Sequence, residues 1–214
     1  MDLDPAHIQH ALVIVIIILL SLALHEWGHA FMADRLGDDT PRSQGRVTLN
    51  PLVHIDPIGT VLIPLLGALG VFGSFGMIGW AKPVIINPDN LRQKGARSLV
   101  TIAGPAMNFL LALLAAVVAG LLSGSGSRLH ELAVLTMLIN VSLMVFNLLP
   151  IPPLDGSKFL MYWFGMKEET YASFARWGWL VLLVAINLPA SQHVIGRIFQ
   201  VATIPFRIVY GIVA

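Results

Sequence analysis

The chain has 214 residues, of which 56% are hydrophobic and only 12% charged, with a mean hydropathy of +0.78 and a formal net charge of +1. Soluble domains carry roughly 25% charged residues, so this chain is solvated mainly by lipid. The near-neutral balance argues against nucleic acid, because phosphate binding needs a basic patch and none is visible. The lack of cysteine excludes disulfides and thiolate ligands, leaving His, Asp or Glu to hold any metal.

Residues 1–10 hold two Asp and no Lys or Arg, so they lack the basic start of a secretory signal, and the segment reads as retained. The first apolar segment, residues 8–36, predicts a helix with Gly37 after its end. Its uncharged part, residues 11–24, is shorter than the ~20 residues a span needs, so the crossing must include HEWGH at 25–29. This is the HExxH signature of zinc hydrolases. On a helix His25 and His29 point the same way and can share one Zn²⁺. Glu26 stands about 100° round the helix, where it reaches a water on the metal without being a ligand. The competing reading, two histidines bonded to carbonyls on a packed helix, leaves the intervening carboxylate unexplained. Ionisable residues at this depth mark a functional site by default. Trp27 and Phe31 are most simply core or lipid-facing aromatics.

Residues 34–57 carry Arg35, Arg42 and Arg46, which places the HExxH end of the first helix toward the cytoplasm. Residues 58–80 are apolar but hold six glycines and Pro64, and the linker after them holds Lys82, Arg92, Lys94 and Arg97. Both flanks then lie on one side, and a re-entrant hairpin is the simplest solution; an ordinary spanning helix with glycine-mediated packing is the alternative. Residues 46–49 and 84–86 have strand character and are expected to pair as a small β element at the cytoplasmic face. Its edge could take an unwound substrate as an added strand. His54 and Asp56, just before the hairpin, are either ordinary loop residues or, for His54, a contact to metal or substrate.

Further apolar segments follow at 99–122, 132–149, 174–188 and, more weakly, 195–213. In the first, Gly104 and Asn108 share a helix face, with Pro105 read as a first-turn residue. Asn108 orients a ligand histidine or simply packs. Asn140 and Asn147 lie on nearly one face of the next segment. Asn147 could donate to the oxyanion of the reaction, and Asn140 to substrate, unless both only hydrogen-bond between helices. At 147–156, NLLPIPPLDG breaks out of its span, because three prolines cannot continue a helix, and presents Asp155 before a turn at Gly156. Such a turn is common by itself; beside an HExxH helix, Asp155 becomes the best candidate for the third of three ligands a catalytic zinc keeps. A re-entrant 58–80 brings that residue out on the side of His29, whereas a full crossing would leave it ~30 Å away.

Here the chain resembles the site-2 protease family of intramembrane zinc metalloproteases. HEWGH matches the family's HExxH, NLLPIPPLDG its NxxPxPxLDG, and AGPAMN at 103–108 its glycine-proline-x-x-asparagine element, all in the family's order between about residues 11 and 160. GRVTLNP at 45–51 and GWAKPV at 79–84 look like the short, minimal subgroup, without PDZ-like or nucleotide-sensing domains. The resemblance implies, and the chemistry allows, Zn²⁺ on His25, His29 and Asp155 with Glu26 as general base. It also implies cleavage of other proteins' transmembrane helices in regulated intramembrane proteolysis.

The expectation is therefore an all-α polytopic membrane protein with about five or six membrane segments. Residues 1–214 would form one peptidase domain, its catalytic core at about 8–160 and C-terminal segments at about 174–213. Glu26 and Asn147 are the expected catalytic residues, with Asn140, His54 and Asn108 as candidate substrate contacts. The expected partners are a transmembrane-helix substrate and the bilayer, the expected place a prokaryotic cytoplasmic membrane, and oligomeric state is left open. Two alternatives stand beside it: a membrane-anchored metalloprotease for soluble substrates, and a metal transporter. The second needs a polar path across the membrane, which 99–122 and 174–188 scarcely offer.

Overall fold

The computed structural model describes residues 4–69 and 79–214, except for the side chains of residues 179, 183 and 185–187. The chain forms two compact units, Met1–Ala96 and Arg97–Ala214. Among the described residues, three helices are long and apolar enough to cross a membrane: Pro5–Arg35, Ala96–Leu121 and Arg128–Asn147.

In the first unit, α1 (Pro5–Arg35) begins at Asp4, whose carboxylate accepts the Ala6 N–H, with Pro5 in the first turn where no donor is needed. One stripe of the helix is buried at three- and four-residue spacing: Ile14, Ile18, Leu22, His25 and His29. Leu12, Ile16 and Leu20 remain exposed, the composition expected of a lipid-facing side. A four-residue helix, α2 (Thr40–Ser43), follows, and Arg42 grips Asp34 through both carboxylate oxygens, at 2.7 and 2.6 Å.

Asp38, fully buried, collects the Thr40 N–H at 3.1 Å, the Asn87 N–H at 2.7 Å and the Asn90 side chain at 3.0 Å. It thereby ties residues 87–90 to the end of α1. Burial pushes the Asp38 carboxyl up, but these hydrogen bonds outweigh it and hold the pKa below the usual carboxylate value.

Asp56 caps the next turn by accepting the Ile58 and Gly59 N–H groups. A π-helical turn (Pro57–Leu62) then runs into α3 (Ile63–Ala68). Residues 70–78, which hold the bend of the expected hairpin, lie outside the described residues. On the far side the Trp80 N–H donates to the Gly59 carbonyl at 3.0 Å, and Thr60 Oγ1 donates to the Trp80 carbonyl at 2.8 Å. The chain has returned to where it left. A single helix over 59–80 would hold these ends roughly 30 Å apart.

The small sheet is a correction: the described residues contain no strand. Residues 79–87 are irregular and attach to the 54–59 turn through Trp80 to Gly59 and Lys82 to His54. Pro83 has no N–H to give a ladder. The carbonyls of Lys82 and Pro83 are taken by the Arg46 side chain, so residues 46–49 and 84–86 do not pair.

In the second unit, α4 (Ala96–Leu121), α5 (Arg128–Asn147) and α8 (Pro189–Val213) enclose a core of Ala112, Ala115, Ala116, Met137, Val141, Val145 and Phe206. Alanines on α4 allow close approach, the packing that works where lipid is as apolar as leucine. Pro105 sits well inside α4 rather than in its first turn, another correction, because the helix starts earlier than hydropathy alone suggested. After α5 the chain breaks at 148–154 and re-forms as α6 (Asp155–Phe164), which hydropathy did not reveal, then α7 (Glu168–Asn187). A Cβ on Gly178 of α7 would lie 2.0 Å from the Pro152 carbonyl oxygen, so α7 rests on the backbone of the proline loop.

Two outcomes follow from this packing. Glycine-to-alanine changes inside helices usually stabilise by up to ~1 kcal/mol. Gly178→Ala should instead lower the thermal midpoint in detergent, by about 1–3 kcal/mol of stability, since rigid backbone must move. Asp38→Ala should cost about 1–3 kcal/mol by orphaning its donors. Because Asp38 has a depressed folded pKa, its contribution is complete above about pH 4 and fades as pH falls through the folded value. Unfolding of the variant should therefore lack part of the wild-type decline in acid.

Candidate metal centre

His25 and His29 face each other one turn apart on the buried stripe of α1, with Nε2 atoms 3.1 Å apart and rings edge-on at 4.7 Å. Two zinc–nitrogen bonds of ~2.0–2.1 Å at a tetrahedral angle separate their nitrogens by about 3.3 Å. The imidazole pair therefore fits a shared ion as it stands. Between them Glu26 is half-buried, and its Oε2 accepts the Val84 N–H at 2.9 Å. A carboxylate so held is oriented by a group outside its own helix.

In the second unit, Asp155 opens α6 with its side chain only 8% exposed, and Lys158, one turn on, reaches its Oδ1 at 2.8 Å. Burial works against the Lys158 ammonium, but the Asp155 charge and hydrogen bond win and raise its pKa. The ion pair fixes the Asp155 carboxylate at the head of α6. Gly156 is where the chain turns most tightly: a Cβ there would lie 2.1 Å from the Leu148 carbonyl oxygen. Ser157 pins the same turn, donating to the Leu154 carbonyl at 2.6 Å and meeting the Tyr171 hydroxyl at 3.0 Å. His25, His29 and Asp155 are each buried, and imidazole and carboxylate are donor types that a catalytic zinc takes.

The other expected residues have hydrogen-bond partners of their own. Asn108 and Asn140, both fully buried, bond to each other at 3.0 Å, and Asn140 also donates to the Thr136 carbonyl. Together they join α4 to α5. Asn147 turns back along its own helix, donating to the Leu143 carbonyl at 3.0 Å. His54 is buried in the 50–56 loop, with Nε2 against the Thr48 carbonyl at 3.1 Å, which makes that nitrogen the protonated one. Its Nδ1 has no partner among the described residues. Burial, helped by Arg46, pushes the His54 pKa down, against the Thr48 bond and the Glu26 charge, so the ring is neutral near pH 7. Two participants were not foreseen: Lys158, which only its three-residue spacing from Asp155 could have signalled, and the Val84 peptide, which has no side-chain signature.

A metal-dependent hydrolase is the class these residues define, and the comparisons with known proteins agree. A family model described as Peptidase family M50 matches residues 13–129 and 125–187. A Bacillus subtilis protein named "Putative zinc metalloprotease YwhC" is 34% identical over 193 residues, covering 85% of this chain and 83% of the relative. A Mycolicibacterium smegmatis protein named "Putative zinc metalloprotease Rip2" is 36% identical over 183 residues, covering 82% of this chain and 66% of that protein. Against Rip2 of Mycobacterium tuberculosis the aligned part is 64% of this chain and about half, 52%, of that protein. No solved structure matches. The chain belongs to peptidase family M50, the site-2 protease family, and is a zinc metalloprotease of membrane-embedded type.

Because Gly156 leaves no room for a side chain, Gly156→Ala should displace Asp155 while removing no donor. Elemental analysis should show a ~10–100-fold weaker hold on zinc with helical content preserved, comparable in direction to His25→Ala and Asp155→Ala.

Proposed function

We propose that the chain is an intramembrane zinc endopeptidase that cuts the transmembrane helices of other membrane proteins, and that Asp155 joins His25 and His29 on one Zn²⁺. The observation that carries the reading is the facing imidazole pair, with Glu26 beside it, on the buried stripe of an apolar helix of 31 residues. Zinc held there would supply Lewis-acid chemistry that makes water nucleophilic near neutral pH. Glu26 takes the proton of the attacking water and delivers it to the leaving amine nitrogen. Asn147 has one of its two amide N–H groups engaged with Leu143, and the other serves the oxyanion that develops on the scissile carbonyl. Asn108 and Asn140 keep α4 and α5 together rather than touching substrate.

In this reading the segment around 58–80 enters and leaves the membrane on one side, supported by the Trp80–Gly59 return. With it, the three long apolar helices and the C-terminal pair make five to six membrane segments of one peptidase domain. Arginines on the 34–57 stretch favour the cytoplasmic side for the metal centre, and the bacterial relatives favour a prokaryotic cytoplasmic membrane. A helical substrate hides its amides in hydrogen bonds, so it must fray before cleavage, and helix-weakening residues near the cut should speed it.

The test is Glu26→Gln in proteoliposomes carrying a fused transmembrane segment. Zinc content should match wild type while cleavage falls below detection. Normal turnover by that variant, preferential cleavage of unstructured soluble peptides, or zinc flux without cleavage would each defeat the proposal.

A further inference from the structure

Glu26 is met by a peptide group 58 residues further along the chain, the Val84 N–H at 2.9 Å. That peptide lies in the irregular stretch 79–87, where no regular ladder holds it. Arg46 does so instead. Its residue is only 5% exposed, and the guanidinium donates to the Val53 carbonyl, to the Lys82 carbonyl at 2.5 Å and to the Pro83 carbonyl at 2.9 Å. A planar fork can join two separated stretches in this way, which a lysine ammonium does less well.

The Pro83 carbonyl and the Val84 N–H belong to one peptide plane. In a trans peptide they point in opposite directions. Arg46 pulls on one edge of that plane, and Glu26 accepts from the other. Burial draws the Arg46 pKa down while the Glu26 charge opposes it, so the two charges feel each other.

We propose that Arg46 is the positioning residue for Glu26, acting through the Pro83–Val84 peptide as a rigid strut. The proposal rests on reading Glu26 as the general base. Arg46 itself touches neither substrate nor metal in this scheme. It fixes the carboxylate at the angle from which a proton can be taken, and polarising the peptide strengthens the bond that does so.

The experiment uses the full chain in proteoliposomes with Arg46→Met, Arg46→Lys, Val84→Pro and the Arg46→Met/Val84→Pro double variant. Val84→Pro removes the N–H that Glu26 accepts, together with the valine side chain, and fixes φ at that position. Both single changes should keep zinc and KM while lowering kcat by ~10–100-fold, the scale of a misplaced catalytic group, and the double variant should be no worse than either alone. Arg46→Lys should recover part of the loss. In metal-free protein, Arg46→Met should speed hydrogen–deuterium exchange of the peptide containing Val84. Losses that multiply in the double variant, a rise in KM with kcat unchanged, loss of zinc, or unaltered exchange at Val84 would each overturn it. If Arg46→Met does not fold, Arg46→Lys and Val84→Pro make the same comparison. An active Glu26→Gln would instead remove the base assignment, while exchange at Val84 would still report the grip of Arg46 on the peptide.

Discussion

In an apolar chain such as this one, a polar group away from the surface must find its partner in protein, because lipid offers none. The first unit meets that demand with side chains reaching to backbone. Asp38 gathers three donors, Asp56 takes two free amides at the start of a helical turn, Thr60 takes the Trp80 carbonyl, and Arg46 takes three carbonyls from two stretches of chain. None of these contacts is a sheet or a helix, yet together they give residues 46–60 and 79–90 one arrangement. The carboxylate of Glu26 in turn accepts from a peptide that they hold.

The second unit solves a different problem, that of stopping a membrane helix abruptly and starting another with a carboxylate at its head. Prolines end the run after α5, Gly156 allows the backbone to fold against the Leu148 carbonyl, and Ser157 fastens the new first turn. An acidic residue in the first turn of α6 is favoured by the exposed amides there. Lys158 then balances the charge of Asp155. Around this, small side chains on α4 and a pair of asparagines hold the helices in register.

Sequence patterns revealed the parts of this arrangement that use side-chain type and spacing. HEWGH signalled its helix and both imidazoles, and the proline-rich run signalled the break before Asp155. The segments expected at 8–36, 99–122 and 132–149 appear as the long apolar helices α1, α4 and α5, while α7 and α8 each begin six residues before the segments expected at 174–188 and 195–213. What stayed hidden depends on backbone partners. Arg46 bonds to carbonyls, which every residue possesses, so nothing in the sequence near Val53, Lys82 or Pro83 marks them. The strand character of 84–86 was real as a propensity but lost to Pro83 and to the arginine that occupies its carbonyls. Asn147, expected as a donor for the reaction, also spends an amide N–H on the Leu143 carbonyl, because a helix offers an asparagine a carbonyl four residues back.

The length of α1 carries a further consequence. At 31 residues it extends about 46 Å, some 16 Å more than a typical hydrocarbon core. Such an excess is accommodated by tilting or by overhang at the ends, at fractions of a kcal/mol per Å. The histidines sit six and ten residues before the end of α1 at Arg35, roughly 9–15 Å along its axis. How deeply the two histidines are immersed is therefore set partly by the thickness of the lipid around α1.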